Sequence, residues 1–92
     1  LAKGIFADPN GDQTPKNFFD IANLLMSNTM YTDASRFLIA STSLFAKNAD
    51  AWFNLGLCYR ALKQKELSCK AFNEASKLGD IESSKVMQEY CK

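Results

Sequence analysis

Histidine is absent from this chain, which removes the commonest general base and the usual partner of a nucleophilic serine or cysteine. No glycine-rich phosphate loop or carboxylate constellation is present either. Apolar runs stay well short of the roughly 20 residues that a bilayer span needs, so a membrane partner is not expected. Charge of one sign is also lacking. Eleven basic and ten acidic residues are mixed along the sequence for a net charge of +1, which leaves no electrostatic footprint for nucleic acid or anionic lipid. The densest basic stretch, Arg60, Lys63 and Lys65, is followed at once by Glu66 and reads as a solvated helix end and turn. Cysteine is scarce. Cys58, Cys69 and Cys91 lack the paired spacing of a zinc site, and an odd number of unpaired-looking thiols suits a reducing, intracellular and cytoplasmic setting better than a secreted disulfide scaffold. Cys58 and Cys69 read as packing or partly exposed residues on adjacent helices. The expectation is a non-enzymatic protein with no cofactor and no metal.

Apolar residues are what the chain does have: they make up 47% of it, against 23% charged, and include seven Phe, three Tyr and one Trp. A chain of this size buries only about 60 to 65% of its unfolded surface, so one small domain must rely on dense aromatic and aliphatic packing. At 100° per residue Trp52, Leu55, Gly56 and Tyr59 fall on one helical stripe that a second helix must cover. The same face returns 34 residues earlier in Phe18, Ile21, Ala22 and Leu25. Positions beyond each stripe recur at that interval too: Ala34 with Ser68, Leu38 with Phe72, Ser41 with Ala75, Leu44 with Leu78. Gly56 and Ala22 are small inside bulky stripes, which marks close approach of a partner backbone opposite Ser68 and Ala34. A glycine in a helix interior costs about 1 kcal/mol relative to alanine, so its presence implies that close packing returns more.

The helices can be laid out from their end signals. Thr14 and Pro15 form a capping oxygen followed by a proline suited to the first helical position, and this helix runs to about Ser27. Thr32 or Asp33 caps the second, with Ala34, Phe37, Leu38, Ser41, Leu44 and Phe45 on its inward side. Asn48 opens the third. A fourth runs from about Glu66 to Leu78, where Gly79 takes the left-handed stop conformation and Asp80 caps the next segment. Short connections make consecutive helices antiparallel. In Ile81 to Lys92, Val86, Met87, Tyr90 and Cys91 share one face, and Glu82, Lys85, Gln88, Glu89 and Lys92 the other, as expected of a closing helix.

A two-helix unit of this period, with Trp52, Leu55, Gly56, Tyr59, Phe72 and Ala75 in place, resembles the tetratricopeptide repeat. The resemblance covers Pro15 to Glu82 well and the flanks loosely. It implies an all-α solenoid of about five helices, in antiparallel hairpins wound as a right-handed superhelix. Residues 15–48 would be a first repeat, 49–82 a second, and 81–92 a C-terminal capping helix or a third repeat cut short. Glu89 and Tyr90 fall where the pattern wants an aliphatic and a small residue, as in terminal elements whose outer face meets water. Lys3, Gly4, Ile5, Ala7, Asp8, Pro9 and Asn10 resemble the end of a preceding repeat's second helix, so residues 1–14 read as that end and its connecting turn, in a fragment of a longer array. The other reading of this stretch is a tail or a leftover of processing.

The family's first helices line a concave groove that holds a segment of a partner protein. Roughly 100° around from the pairing stripe, the third helix presents Phe53, Leu57 and Arg60, with Asp50 and Ala61 beside them, and the first presents Phe19, Asn23 and Met26, flanked by Lys16 and Ser27. A floor of this kind favours apolar or aromatic anchors; the competing reading is that Phe19 and Phe53 fill core volume between neighbouring units. Members that bind chaperones grip a C-terminal carboxylate with asparagines and basic groups. Asn23 and Asn54 match the asparagines, but Phe19, Ser84 and Gln88 stand where basic side chains are required, so carboxylate capture is not expected. The expectation is therefore a scaffold that binds a protein or peptide through Phe19, Asn23, Met26, Phe53, Asn54, Leu57 and Arg60. Two alternatives stand beside it: a structural fragment of a larger array or complex that self-associates through its N-terminal edge, and a groove chaperone for secreted proteins.

Overall fold

The computed structural model describes residues 15–91, with side chains from Phe18 onward. Five helices follow one another: α1 Pro15–Ser27, α2 Tyr31–Leu44, α3 Ala49–Ala61, α4 Lys65–Lys77 and α5 Ile81–Tyr90. Each packs against the next in the chain, and α1 also touches α3, the pattern of an all-α stack of hairpins. The reading of residues 1–14 as the end of a preceding repeat, and the Thr14 cap, lie outside the described residues. Among the described residues no helix is long and apolar enough to cross a membrane.

The turns reproduce the 34-residue interval in backbone geometry. After α1, Thr29 adopts φ 58° and the Met30 amide donates to the Leu25 carbonyl at 2.9 Å. After α3, Lys63 adopts φ 61° and the Gln64 amide donates to the Tyr59 carbonyl at 2.9 Å. Gly79 closes α4 in the same way with φ 96°, and the Asp80 amide reaches the Ala75 carbonyl at 3.1 Å. These are left-handed helix stops in which an amide beyond the end satisfies a carbonyl of the last turn. The α2–α3 connection ends differently: Phe45 keeps a negative φ of −129°, and the Trp52 indole donates to the Ala46 carbonyl at 2.7 Å.

Asn48 caps α3 as its side chain predicts, accepting from the Ala51 amide at 3.1 Å. Asp80 likewise caps α5, accepting from the Ser83 amide at 2.9 Å and the Ser83 hydroxyl at 2.6 Å. The expected cap of α2 is corrected. This helix begins at Tyr31 behind Met30, which makes no side-chain cap bond; Thr32 and Asp33 lie inside the first turn, where Asp33 still complements the dipole. A second correction concerns the end of α2. Leu44 is the last helical residue and Phe45 lies past it, 58% and 60% exposed, because the face that meets α1 and α3 closes at Ser41 and Thr42, both buried.

Ala22, Leu25, Ala34, Phe37, Leu38, Ala51, Leu55, Cys58 and Ala71 form one buried cluster, with Phe72 and Ala75 fully buried beside Ala71 on α4. Phe18 and Phe37 pair with ring centroids 6.2 Å apart. Gly56 is a close-approach position, as its size implies, but the group above it is larger than expected. A Cβ there would lie 2.6 Å from two ring carbons of Phe72, while Ser68 donates its hydroxyl to the Gly56 carbonyl at 2.8 Å. The hairpin thus seats a flat ring on a bare backbone. At the positions 34 residues earlier, Ala22 and Leu38 share the same volume out differently, and both are fully buried.

Candidate functional site

On α1, Phe19, Asn23 and Met26 are each partly buried, and on α3 so are Phe53, Asn54 and Leu57, whereas Arg60 is exposed. The structure brings the two asparagines together: the Asn54 Nδ2 donates to the Asn23 Oδ1 at 2.7 Å. This bond ties α1 to α3 across 31 residues of sequence. It uses one donor of Asn54 and the acceptor of Asn23, so a donor on Asn23 and an acceptor on Asn54 point away from their mutual contact without a partner among the described residues. Phe19 and Met26 also pack against the buried cluster, so one side of each serves the core.

Phe53 likewise turns part of its surface inward, its ring lying against Phe72 with centroids 5.7 Å apart. Arg60 is engaged at the far end of the row. Its guanidinium sits 4.8 Å from the centroid of the Tyr90 ring, and the Lys65 ammonium 5.5 Å from the same ring, contacts worth about 0.5–1 kcal/mol each at exposed sites. Tyr90 is the residue that the spacing placed where a small side chain is wanted. Its role over Arg60 was not read from the sequence, although that departure marked the place.

The cysteine reading is corrected. Cys69 of α4 and Cys91, the residue capping α5, form a disulfide with Cα atoms 5.8 Å apart, which leaves Cys58 free and buried. The argument from three unpaired thiols to a reducing compartment therefore loses its premise. Burial pushes the Cys58 thiol up to about 11 from its ordinary value near 9.0, which makes it inert at neutral pH. The neighbouring Tyr59 hydroxyl is raised as well, by burial first and then by the charge Cys58 would carry.

A depression opens on the side of α3 that faces α2 and α4, away from the candidate residues. It encloses about 450 Å³ and is lined by Ile39, Thr42, Trp52, Tyr59, Leu67 and Lys70 among others. Ile39 and Leu67 at its rim are 44% and 42% exposed.

The geometry from Asn48 through Asp80 carries its own identification: a side-chain cap, a tryptophan–leucine–glycine–tyrosine stripe, a left-handed turn, a small residue and an aromatic over the glycine, and a glycine stop. Residues 49–80 match the family model for the tetratricopeptide repeat. The α3–α4 hairpin is a tetratricopeptide repeat. Comparison with curated proteins and with solved structures finds no match. Within this tetratricopeptide unit, Phe53, Asn54, Leu57 and Arg60 all belong to the first helix. Ser84 and Gln88, beyond the repeat, contribute no charge; the Ser84 hydroxyl is 2.6 Å from that of Ser76, and Gln88 is exposed.

Proposed function

We propose that the chain is a non-enzymatic protein-interaction module in which residues 15–48 and 49–82 act as two consecutive tetratricopeptide units closed by α5, and that the α1–α3 face holds a segment of a partner protein. The supporting observation is the asparagine pair. Its open donor and acceptor match the C=O and N–H that any extended main chain presents, and they lie among Phe19, Met26, Phe53 and Leu57, which offer partly exposed apolar surface. Main-chain bonding supplies affinity without sequence preference, and apolar contacts on either side supply the choice of anchors. A ligand with aromatic or aliphatic side chains spaced along an extended segment suits this surface; a bare carboxylate suits it less, because the asparagines themselves offer no charge-assisted bond.

A peptide-array screen tests the proposal. Bound sequences should be enriched in aromatic and aliphatic residues, and Asn23→Ala or Phe53→Ala should each reduce binding about tenfold or more. Binding by these variants at the level of the parent chain would refute the assignment.

A second reading is favoured by one observation, the difference between Leu24 and its counterpart. Leu24 is 65% exposed, whereas Cys58, 34 residues on, is fully buried. On this reading the uncovered edge of α1 is a contact surface within a larger array or complex. Gel filtration with light scattering separates the two: self-association that Leu24→Ser abolishes supports the edge, and a monomer at all concentrations supports the groove.

A further inference from the structure

Helix α5 is anchored in different ways at its two ends. At its start, Asp80 holds both the amide and the hydroxyl of the buried Ser83, and Ser84 meets Ser76 of α4. At its finish, Cys91 is joined to Cys69 across a sequence separation of 22. Tyr90, beside it, lies under Arg60 and Lys65, and a cavity of about 160 Å³ lined by Arg60, Val86, Glu89 and Tyr90 adjoins the contact. Between these anchors the helix buries little. It has 10 residues, of which Ser83 alone is fully buried and Val86, Met87 and Tyr90 are half-buried. A helix of that length is marginal in water without tertiary support.

We propose that the Cys69–Cys91 bond is a thiol-sensitive clasp, whose reduction frees the second half of α5 from α4 and releases the exposed Arg60 and Lys65 from the Tyr90 ring. The covalent step is thiol–disulfide exchange with a small dithiol. One thiolate of the reagent attacks either sulfur, forms a mixed disulfide and expels the other cysteine as a thiolate, which takes up a proton. The second thiol of the reagent then displaces the first cysteine, so the reagent leaves as a cyclic disulfide and both cysteines are reduced. Both sulfurs belong to half-buried residues, within reach of such a reagent. Cys58 does not compete, since it is fully buried and holds its proton at neutral pH. For a loop of this length, losing the cross-link widens the open ensemble by roughly a few hundredfold. The Asp80 and Ser76 contacts keep the start of the helix in place. The clasp stands without the binding proposal; only its consequence for a ligand at Arg60 rests on that reading.

Hydrogen exchange of the 92-residue chain, oxidised and then treated with dithiothreitol, tests this directly. Amides of residues 86–91 should lose protection by about tenfold or more on reduction, while amides of α3 keep theirs. Cys91→Ser should match the reduced chain and ignore dithiothreitol, and Cys58→Ala should respond as the parent does. Unchanged protection at residues 86–91 would overturn the clasp, as would an equal loss across α3, which would make the bond a staple for the whole fold. Three alkylatable thiols in the unfolded, unreduced chain would also overturn it. Because protection is read with no ligand present, a failure of peptide binding leaves each of these outcomes intact.

Discussion

Gly56→Ala isolates the contact on which the second hairpin closes. Two terms oppose each other. Alanine improves helix propensity in the middle of α3 by about 1 kcal/mol. Against that, the new Cβ would lie 2.6 Å from two carbons of the Phe72 ring, and Phe72 is fully buried with no open side toward which to swing. Overpacking of this kind costs about 1–3 kcal/mol. The helices must part by some tenths of an ångström, which also stretches the 2.8 Å bond from Ser68 to the Gly56 carbonyl. The net expectation is destabilisation of about 0–2 kcal/mol, up to roughly 10 °C in Tm for a domain of this size. Phe72→Leu alone should lose about 1–2 kcal/mol by leaving a void over the glycine. Together the two changes recreate the alanine and leucine found at 22 and 38, so the double variant should be more stable than the sum of the singles by about 1 kcal/mol or more. Urea unfolding followed by far-ultraviolet circular dichroism gives all four corners of the cycle. Stabilisation by Gly56→Ala together with additive singles would refute the reasoning, since the ring would then not be seated on the glycine.

The remaining predictions address turns, caps and ionisation. Thr29→Gly and Lys63→Gly, at φ 58° and 61°, should each raise stability by about 0.5–1 kcal/mol in thermal melts, the β-branched Thr29 more than Lys63, and a loss at both would contradict the left-handed stops. Gly79→Ala should lower stability by about 1–2 kcal/mol through backbone strain alone, since φ is 96° and no atom lies within 4 Å of the added Cβ; a neutral result would contradict it. Asp80→Ala removes a cap and leaves the buried Ser83 hydroxyl without its acceptor, a loss of about 1–2 kcal/mol by urea titration. For Cys58, the folded value is raised to about 11 from 9.0, so its contribution is intact below pH 9 and is lost as pH rises toward 11, when the unfolded thiol ionises and the buried one resists. Stability should fall by about 2–3 kcal/mol across that window. Cys58→Ala should flatten most of the slope, and an identical slope in that variant would assign the effect elsewhere.

How legible the molecule was in its sequence differed by the kind of interaction. Asn48, Gly79 and Asp80 announced their helix ends because each acts through its own side chain or φ within four residues. Met30 announced nothing, since the start of α2 follows from the turn at Thr29 and the packing behind it. Leu44 and Phe45 continued the inward period on paper, yet the helix ends at Leu44, and periodicity cannot report where the partner surface stops. The stripes were right about Gly56 as a close approach, while Phe72 above it required knowing the offset between α3 and α4. The cysteine pairing lay beyond reach altogether, because spacing does not encode which thiols meet. On the candidate face, residue type suggested Asn23 and Asn54 separately; their bond depends on the approach of α1 to α3, and the capture of Arg60 by Tyr90 depends on the position of α5.

The most direct test of the account is a titration of the ¹⁵N-labelled chain with a peptide selected from a random library, followed by amide and side-chain shifts in two-dimensional NMR. The account predicts that the largest changes fall on Phe19, Asn23, Met26, Phe53, Asn54 and Leu57, with the asparagine side-chain amides among them. Changes centred instead on Ile39, Trp52, Leu67 and Lys70 would place the ligand in the depression between α2 and α4 and contradict the proposed face.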